Sequence, residues 1–188
     1  MAMKDLGAKA VITPQAVLLI ATYDENGKED VMNAAWGGQC GPNHIAFNLG
    51  THQTTLNLDA KQAFTVSFAD KDHYVAADYV GIVSAKDEPE KMKKAGFTFT
   101  KSSFVDAPVI NEMKLTLECR VVDRQEILGE LRYVGEVVNA QADESILDEA
   151  GKVDYGRLQP IIFDSESLGY RVIGERIGNA FQDGAQLK

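Results

Sequence analysis

Short apolar runs separated by turn residues dominate the pattern of the chain. Residues 14–22 form one such run, and the Asn26-Gly27 pair after it is typical of a tight turn between antiparallel strands. We therefore expect a hairpin whose second strand covers residues 29–37. Runs that alternate or are continuously apolar predict further strands at residues 44–49, 63–68, 113–123, 133–142, 161–163 and 170–173.

Three stretches between these strands have the spacing of helices. Residues 51–61 start at Thr51, a candidate N-cap, and residues 71–83 place large side chains three and four positions apart. A short helix follows Pro89 and stops at Gly96. A short polar link is predicted between residues 123 and 133.

The order of these elements favours a mainly β fold. Helices are inserted among strands without the regular alternation of a doubly wound parallel sheet, so we expect an antiparallel β-barrel with helical insertions. The chain contains no internal repeat, linker or low-complexity segment. Residues 1–188 are therefore predicted to form a single domain.

Composition and charge narrow the class of partner. The 188 residues are 45% hydrophobic and 25% charged, which is ordinary for a soluble globular protein, and the net charge is −9. Such an acidic chain repels nucleic acid and anionic membrane surfaces. No apolar run is long enough to span a bilayer, and no secretion signal precedes the first strand, so a cytoplasmic location is expected. Cys40 and Cys119 are expected to be buried thiols rather than a disulfide.

Motifs that would indicate other chemistries are absent. The chain has no G-x-G-x-x-G or G-K-[ST] nucleotide loop and no G-x-S-x-G nucleophile motif. Cys40 and His44 have a spacing that suits a metal, but Gly41 and Pro42 break any helix between them, so no metal site is expected. Cys40 as a nucleophile with His44 or His52 as its base is less favoured than a thiol that is buried or only lines a site. No catalytic side chain is predicted.

Residues 31–58 concentrate the candidate ligand-binding chemistry. Small residues around Trp36 leave backbone amides unshielded, and hydroxyl-bearing residues cluster where a helix begins. In an acidic protein, a phosphorylated ligand must be held by such local donors. The pattern suits a flat heterocycle that carries a phosphate, such as flavin mononucleotide (FMN). A closely packed strand followed by an ordinary capped helix explains the same residues.

A longer ordered set of motifs runs through nearly the whole chain: DENGK at 24–28, VMNAAWGG at 31–38, GTHQTTLNL at 50–58, ADYVGIVSAK at 77–86, FTKSSFVDAPVINE at 99–112, LTLECRV at 115–121, VGEVVNAQAD at 134–143 and GERIGNAF at 174–181. In these motifs the chain resembles the flavin reductase-like family, and most closely its flavoredoxin-type branch. The resemblance implies the FMN-binding split barrel fold.

The resemblance also implies a set of cofactor-binding residues. Those expected to line the flavin ring are Asn33, Ala34, Ala35 and Trp36. Those expected to hold the ribityl chain and phosphate are Asn48, Leu49, Gly50, Thr51, His52, Gln53, Thr54 and Thr55. Relatives often carry Lys or Arg at the position of Gln53, so Lys71, His73 and Lys101 are candidates for the missing positive charge.

The activity implied is hydride transfer from NADH or NADPH to bound FMN, with the protein supplying position and electrostatics. An FMN electron carrier that serves a redox protein partner is the alternative. A flavin- or haem-binding module without catalysis is a third interpretation. The resemblance further implies a homodimer in which each site touches the second chain.

Overall fold

The computed structural model describes residues 2–188. The strands are β1 (Gln15–Ala16), β2 (Leu18–Tyr23), β3 (Glu29–Ala34), β4 (Gly37–Gly41), β5 (His44–Leu49), β6 (Ala63–Phe68), β7 (Phe99–Lys101), β8 (Pro108–Ile110), β9 (Leu115–Ile127), β10 (Glu130–Ala142), β11 (Ile161–Asp164) and β12 (Gly169–Val172). The α-helices are α1 (Gln53–Lys61), α2 (Tyr74–Ile82), α3 (Lys91–Ala95) and α4 (Tyr155–Leu158), and single 3-10 turns cover Glu144–Ile146 and Asp183–Leu187.

Seven strands form one antiparallel sheet in the order β3-β2-β6-β9-β10-β5-β4. β3 and β4 lie at opposite ends of this order, although only Ala35 and Trp36 separate them in sequence. Because so short a link spans at most about 11 Å, the sheet must curl until its two edges meet. The result is an antiparallel barrel that is split between β3 and β4.

Both faces of β2 are buried, which explains its continuous apolar sequence. Leu18 packs inside the barrel with Phe47 and Phe64, whose rings meet edge to face with centroids 5.4 Å apart. Leu19 points the other way, into a second apolar cluster that includes Val80 of α2. The barrel wall is therefore held from inside and outside at the strand next to β3.

A smaller sheet with the order β1-β11-β12 and the hairpin β7-β8 complete the β structure. The smaller sheet shares the outer cluster, because Ile161 and the partly buried Phe163 and Tyr170 pack there. This packing brings β11 and β12 to the split side of the barrel, close to α2.

Several predicted elements are confirmed. The strands predicted at 44–49 and 63–68 coincide with β5 and β6, and β2 and β3 form the predicted hairpin. Its turn contains Gly27 with a φ of +81°, a left-handed conformation that favours glycine. The short helix that stops at Gly96 is α3, and Gly96 caps it with a φ of +77°.

Other boundaries were predicted wrongly, for local reasons. The strand predicted over 29–37 ends at Ala34, where the chain bends to the opposite sheet edge. The predicted polar link is instead the end of the long hairpin β9-β10, which turns at Leu128 and Gly129 with φ values of 55° and 83°. Helix α2 begins at Tyr74 rather than 71 because Asp70 Oδ1 accepts hydrogen bonds from two following backbone amides and forms a turn.

The first residue of α1 also differs from the prediction. His52 rather than Thr51 is the N-cap, and its backbone N–H donates to Thr55 Oγ1 at 3.0 Å. A hydroxyl three positions into the helix that reaches back in this way is half of a capping box. Both cysteines are free, and only Cys119 is the buried thiol that was expected, since Cys40 is exposed on β4.

Candidate functional site

A cavity of about 500 Å³ opens where the barrel is split. Its walls come from the end of β3, the following bend, the end of β5, helix α2 and the smaller sheet. Eight of the twelve predicted site residues line it: Asn33, Ala34, Ala35, Trp36, Asn48, Leu49, Gly50 and His52. The structure thus brings both halves of the 31–58 segment to one place.

The bend at residues 35–36 forms one wall and presents an aromatic ring. Trp36 is 56% exposed, and its ring meets Phe163 edge to face at 6.2 Å between centroids. The backbone carbonyl of Trp36 accepts a hydrogen bond from the backbone N–H of Asn48 at 2.9 Å. This bond extends the β4-β5 pairing into the bend and fixes the two predicted halves of the site against each other.

Helix α2 is tied to the same wall through Asn33. The side-chain amide nitrogen of Asn33, Nδ2, donates to the backbone carbonyl of Ala77 at 3.0 Å. Gly81, one turn further along α2, lies so close that a Cβ placed on it would be 2.9 Å from Asn33 Cβ. The orientation of Asn33 therefore depends on α2, which approaches β3 so closely that only glycine fits at position 81 without a shift.

A carboxylate and a phenol from distant parts of the chain meet in the wall of the cavity. Tyr170 Oη donates to Asp78 Oδ1 at 2.7 Å, and both residues line the cavity. Burial, together with the hydrogen bond and charge of Asp78, raises the pKa of Tyr170 to about 12. The phenol therefore stays protonated and neutral at physiological pH, and with its O–H donated to Asp78 its oxygen is left to accept hydrogen bonds.

Arg132 places a positive charge beside the site, at a position that the sequence pattern did not predict. Arg132 Nη1 donates to Asn48 Oδ1 at 3.2 Å, and the two residues are directly paired across β10 and β5. Arg132, Trp36 and Asn48 also line a smaller cavity of about 360 Å³ that adjoins the first. The signal for Arg132 is the strand register, which places it opposite the predicted residue Asn48.

The three cations predicted to replace a basic residue at Gln53 lie elsewhere. None of Lys71, His73 and Lys101 is among the residues that line the cavity. His73 Nδ1 is 2.7 Å from Asp70 Oδ1, and Lys101 Nζ is 3.0 Å from Asp106 Oδ1.

Four predicted phosphate-binding residues are not brought to the cavity. Thr51 is exposed, and Gln53 bonds to Asn57 at 2.9 Å and lines a separate cavity behind α1. Thr54 is buried, and its Oγ1 donates to Asp30 Oδ2 at 2.8 Å. Thr55 is the buried capping residue described above. Their role toward a phosphate stays a prediction.

The buried environment of Thr54 includes an ion pair that joins three elements. Lys91 Nζ of α3 lies 3.3 Å from Asp30 Oδ1 of β3 and donates to the Val31 carbonyl at 2.7 Å. Both charged residues are almost fully buried. The hydroxyl of Thr54 thus completes the hydrogen bonding of a buried carboxylate, which is a structural task.

The cavity fits a flavin in size and in chemistry. Its volume falls in the range of about 300–1,000 Å³ that is usual for small-molecule sites. Residues 34–36 line the cavity with two small side chains and one aromatic ring, while Asn33, Asn48 and His52 offer polar groups. Arg132 beside Asn48 is a donor suited to a phosphate.

Three comparisons with known proteins agree with this geometry. A family model described as a flavin reductase like domain matches residues 11–164. The solved structure of flavoredoxin from Desulfovibrio vulgaris (Miyazaki F) is 32% identical, with a TM-score of 0.91 over 97% of this chain and 100% of that one. Flavoredoxin from Methanosarcina acetivorans is 25% identical, with a TM-score of 0.90 over 100% of both chains.

More distant similarity adds the fold and a partial sequence match. Nitrilotriacetate monooxygenase component B from Bacillus cereus is 17% identical with a TM-score of 0.79, covering 95% of this chain and 98% of that one. An uncharacterised protein of Aquifex aeolicus is 34% identical over 74 residues, which span 39% of this chain and only 38% of that protein. None of the helices within residues 2–188 has the length and apolar character needed to cross a bilayer.

The family model covers most of the chain, and the two flavoredoxin structures match it over nearly its whole length. The expected antiparallel split barrel is therefore confirmed. This chain belongs to the flavin reductase-like family of FMN-binding split barrels.

Proposed function

We propose that this chain binds FMN in the cavity at the barrel split and acts as an oxidoreductase that accepts a hydride from NADH or NADPH. The observation that carries the proposal is that Trp36 and Asn48 line the cavity at the split, while Arg132, bonded to Asn48, lines the smaller cavity that shares these two residues. The family to which the chain belongs supports flavin as the ligand.

The residues present divide the task of binding between them. Trp36 and the backbone of Ala34 and Ala35 would lie against the ring, and the small side chains leave room for a second flat molecule. Asn33, held by the Ala77 carbonyl, would direct its amide toward polar edge atoms of the ring. Arg132 would hold the phosphate and supply the positive charge that Gln53 lacks.

When bound, FMN supplies a ring that accepts a hydride from reduced nicotinamide and passes the electrons on. The chain itself need not transfer a proton. Tyr170 is kept neutral by its raised pKa and oriented by its bond to Asp78, so its oxygen would only accept a hydrogen bond from the ligand. Backbone amides at the bend would favour the negative charge that the ring gains on reduction.

Anaerobic stopped-flow mixing tests the reductase proposal. FMN-loaded protein is mixed with NADH and, separately, with NADPH, and the flavin absorption band is followed; free FMN at the same concentration is the control. We expect the band to bleach with at least one donor, much faster than in free FMN, at a rate that saturates with donor concentration. A rate equal to that of free FMN with both donors would refute the reductase activity.

An electron carrier is the second candidate, favoured by the likeness to two flavoredoxins and by the net charge of −9. An acidic surface suits a basic redox protein, because opposite charges steer encounter. FMN that stays bound through gel filtration, combined with slow oxidation of both nicotinamides, would identify the carrier. Protein that purifies with haem, or that does not take up FMN, would contradict both candidates.

A further inference from the structure

Asp78 and Tyr170 together form a part of the cavity wall that can only accept hydrogen bonds, here called the acceptor corner. Tyr170 Oη donates its one proton to Asp78 Oδ1 at 2.7 Å. Within residues 2–188, no other hydrogen bond and no ion pair involves the Asp78 side chain. Its second oxygen, Oδ2, is therefore left for a donor that the chain itself does not supply.

The acceptor corner lies beyond the part of the cavity proposed for the flavin ring. The Phe163 ring stands between Trp36 and Tyr170, with its centroid 6.2 Å from each of theirs. The corner is thus two aromatic steps from Trp36, and it comes from α2 and β12 rather than from the large sheet. A flat molecule beside the flavin would bring one of its edges to this corner.

The charges of the cavity wall select the kind of group that can bind there. The described residues that line the cavity include the acidic Asp78 and Glu130, and none of them is Lys or Arg. An anionic group at the acceptor corner would therefore meet a like charge without a cation to offset it. A neutral group that donates a hydrogen bond is favoured, because it satisfies Asp78 Oδ2 and adds no charge.

We propose that Asp78 determines the specificity for the electron donor, by accepting a hydrogen bond from the carboxamide N–H of reduced nicotinamide. Tyr170 is the positioning residue that holds the Asp78 carboxylate in place. The nicotinamide ring is flat, and its primary amide carries two N–H donors. No bond forms or breaks at Asp78. The inference rests on the proposed reductase function, since it concerns the molecule that passes its hydride to FMN.

A donor that carries a carboxylate in place of the carboxamide should bind much more weakly. It loses the hydrogen bond to Asp78 and places a second negative charge beside the first. Sites built around such a bond reject analogues that lack it by up to about 10,000-fold or more where the contact is fully buried. Asp78 is only half-buried, so water replaces part of the loss and we expect a difference of about 100-fold.

The test compares NADH with reduced nicotinic acid adenine dinucleotide, which has the carboxylate. Each is mixed with FMN-loaded protein, and saturation of the bleaching rate gives its dissociation constant, which should be about 100-fold higher for the carboxylate. In Asp78→Asn, whose amide can donate to a carboxylate, the difference should fall below about tenfold. Tyr170→Phe should give an intermediate value. Asp72→Asn removes an exposed carboxylate outside the cavity, and this control should keep the full difference.

Saturation-transfer NMR measures the same preference without hydride transfer. Free nicotinamide should give a signal with FMN-loaded protein and free nicotinate should not, whereas nicotinate should give one with Asp78→Asn. Equal constants for the two donors, a preference that Asp78→Asn leaves intact, or no nicotinamide signal would each overturn the proposal. Weaker FMN binding by Asp78→Asn with an unchanged preference would assign Asp78 to the flavin and overturn it as well.

The two proposals fail in different ways. If nicotinamide binds selectively and through Asp78, but neither NADH nor NADPH bleaches the flavin, the recognition by Asp78 is supported and only the reductase activity is refuted. If the flavin bleaches equally well at equal concentrations of the carboxamide and carboxylate donors, the reductase activity stands and the role of Asp78 is refuted.

Discussion

Replacing Gly81 with alanine should affect FMN binding more than it affects the free energy of unfolding, because the added methyl group displaces α2 from a wall of the cavity. The added Cβ would stand 2.9 Å from Asn33 Cβ, closer than real Cβ atoms approach. Ordinary contact begins at 3.4 Å, so the helix end and β3 must move apart by about 0.5 Å. Asn33 is attached to rigid backbone and cannot swing its Cβ away.

The effect on stability is the difference of two opposed terms. Alanine in a helix is favoured over glycine by roughly 0.5–1 kcal/mol. Overpacking of a close contact costs about 1–3 kcal/mol. We therefore expect the free energy of unfolding to change little or to fall by up to about 2 kcal/mol.

The affinity for FMN should fall even where the free energy of unfolding changes little. Moving α2 outward lengthens the 3.0 Å bond from Asn33 to the Ala77 carbonyl, so the Asn33 amide loses its orientation. One net hydrogen bond is worth about 0.5–1.5 kcal/mol. The Kd for FMN should consequently rise roughly two- to tenfold.

Fluorescence titration with FMN and urea unfolding of the apo protein measure the two effects. Gly184→Ala is the matched control, because no atom lies within 4 Å of a Cβ at Gly184, and it should leave FMN affinity unchanged. A Gly81→Ala protein that binds FMN like the unchanged chain would refute the reasoning. It would mean that Asn33 does not hold the ring, or that the strand yields without consequence.

Four further predictions follow from contacts outside α2. Arg132→Gln should weaken FMN binding about tenfold, a little over 1 kcal/mol at a half-exposed site, while riboflavin binding stays constant because riboflavin has no phosphate. Arg132→Lys should recover part of the lost FMN affinity. Equal losses for both ligands in fluorescence titrations would show that Arg132 does not hold the phosphate. Thr54→Val should lower the free energy of unfolding by about 1–3 kcal/mol in urea, because the buried Asp30 loses a donor; a loss of FMN affinity with unchanged stability would instead restore Thr54 as a phosphate ligand. A thiol reagent should label Cys40 alone in the native protein and both cysteines after denaturation, which mass spectrometry can count, since Cys119 is buried; labelling of native Cys119 would contradict its placement. Burial raises the pKa of Cys119 from 9.0 to about 12, so the thiol of the unfolded chain loses its proton first and the free energy of unfolding should fall as pH rises from 9 toward 12. In Cys119→Ala this decrease should be shallower in urea unfolding measured across the same pH range. An identical pH profile would exclude the Cys119 thiol as its cause.

Local sequence was sufficient for the part of the site that is continuous in the chain. Residues 33–36 are neighbours on one strand and the bend after it, so a pattern within a short window was enough to place them together on one wall of the cavity. The other walls come from pairings across long separations. Tyr170 meets Asp78 over 92 positions, and Arg132 meets Asn48 over 84. No periodicity within a short window carries such information.

The hydroxyl cluster at α1 shows a second limit. A threonine near a helix start can cap the helix, bond to a neighbouring strand or bind an anion, and all three uses favour the same residue type. Thr55 does the first and Thr54 the second. What decides is the position of each hydroxyl around the helix relative to β3, which depends on tertiary packing. The same holds for β2, whose apolar run predicted a strand but not the two clusters on its faces.

The bend at Ala35 and Trp36 closes the barrel and also forms a wall of the cavity, so a bound ligand would act on folding. A ligand present at 100 times its Kd adds about 2.7 kcal/mol to the stability of the state that binds it. Because the split is not bridged by strand pairing, we expect amide hydrogens around it to exchange faster in unloaded protein and to slow markedly once FMN is bound. The supply of flavin in the cell would then influence how long each newly made copy escapes proteolysis.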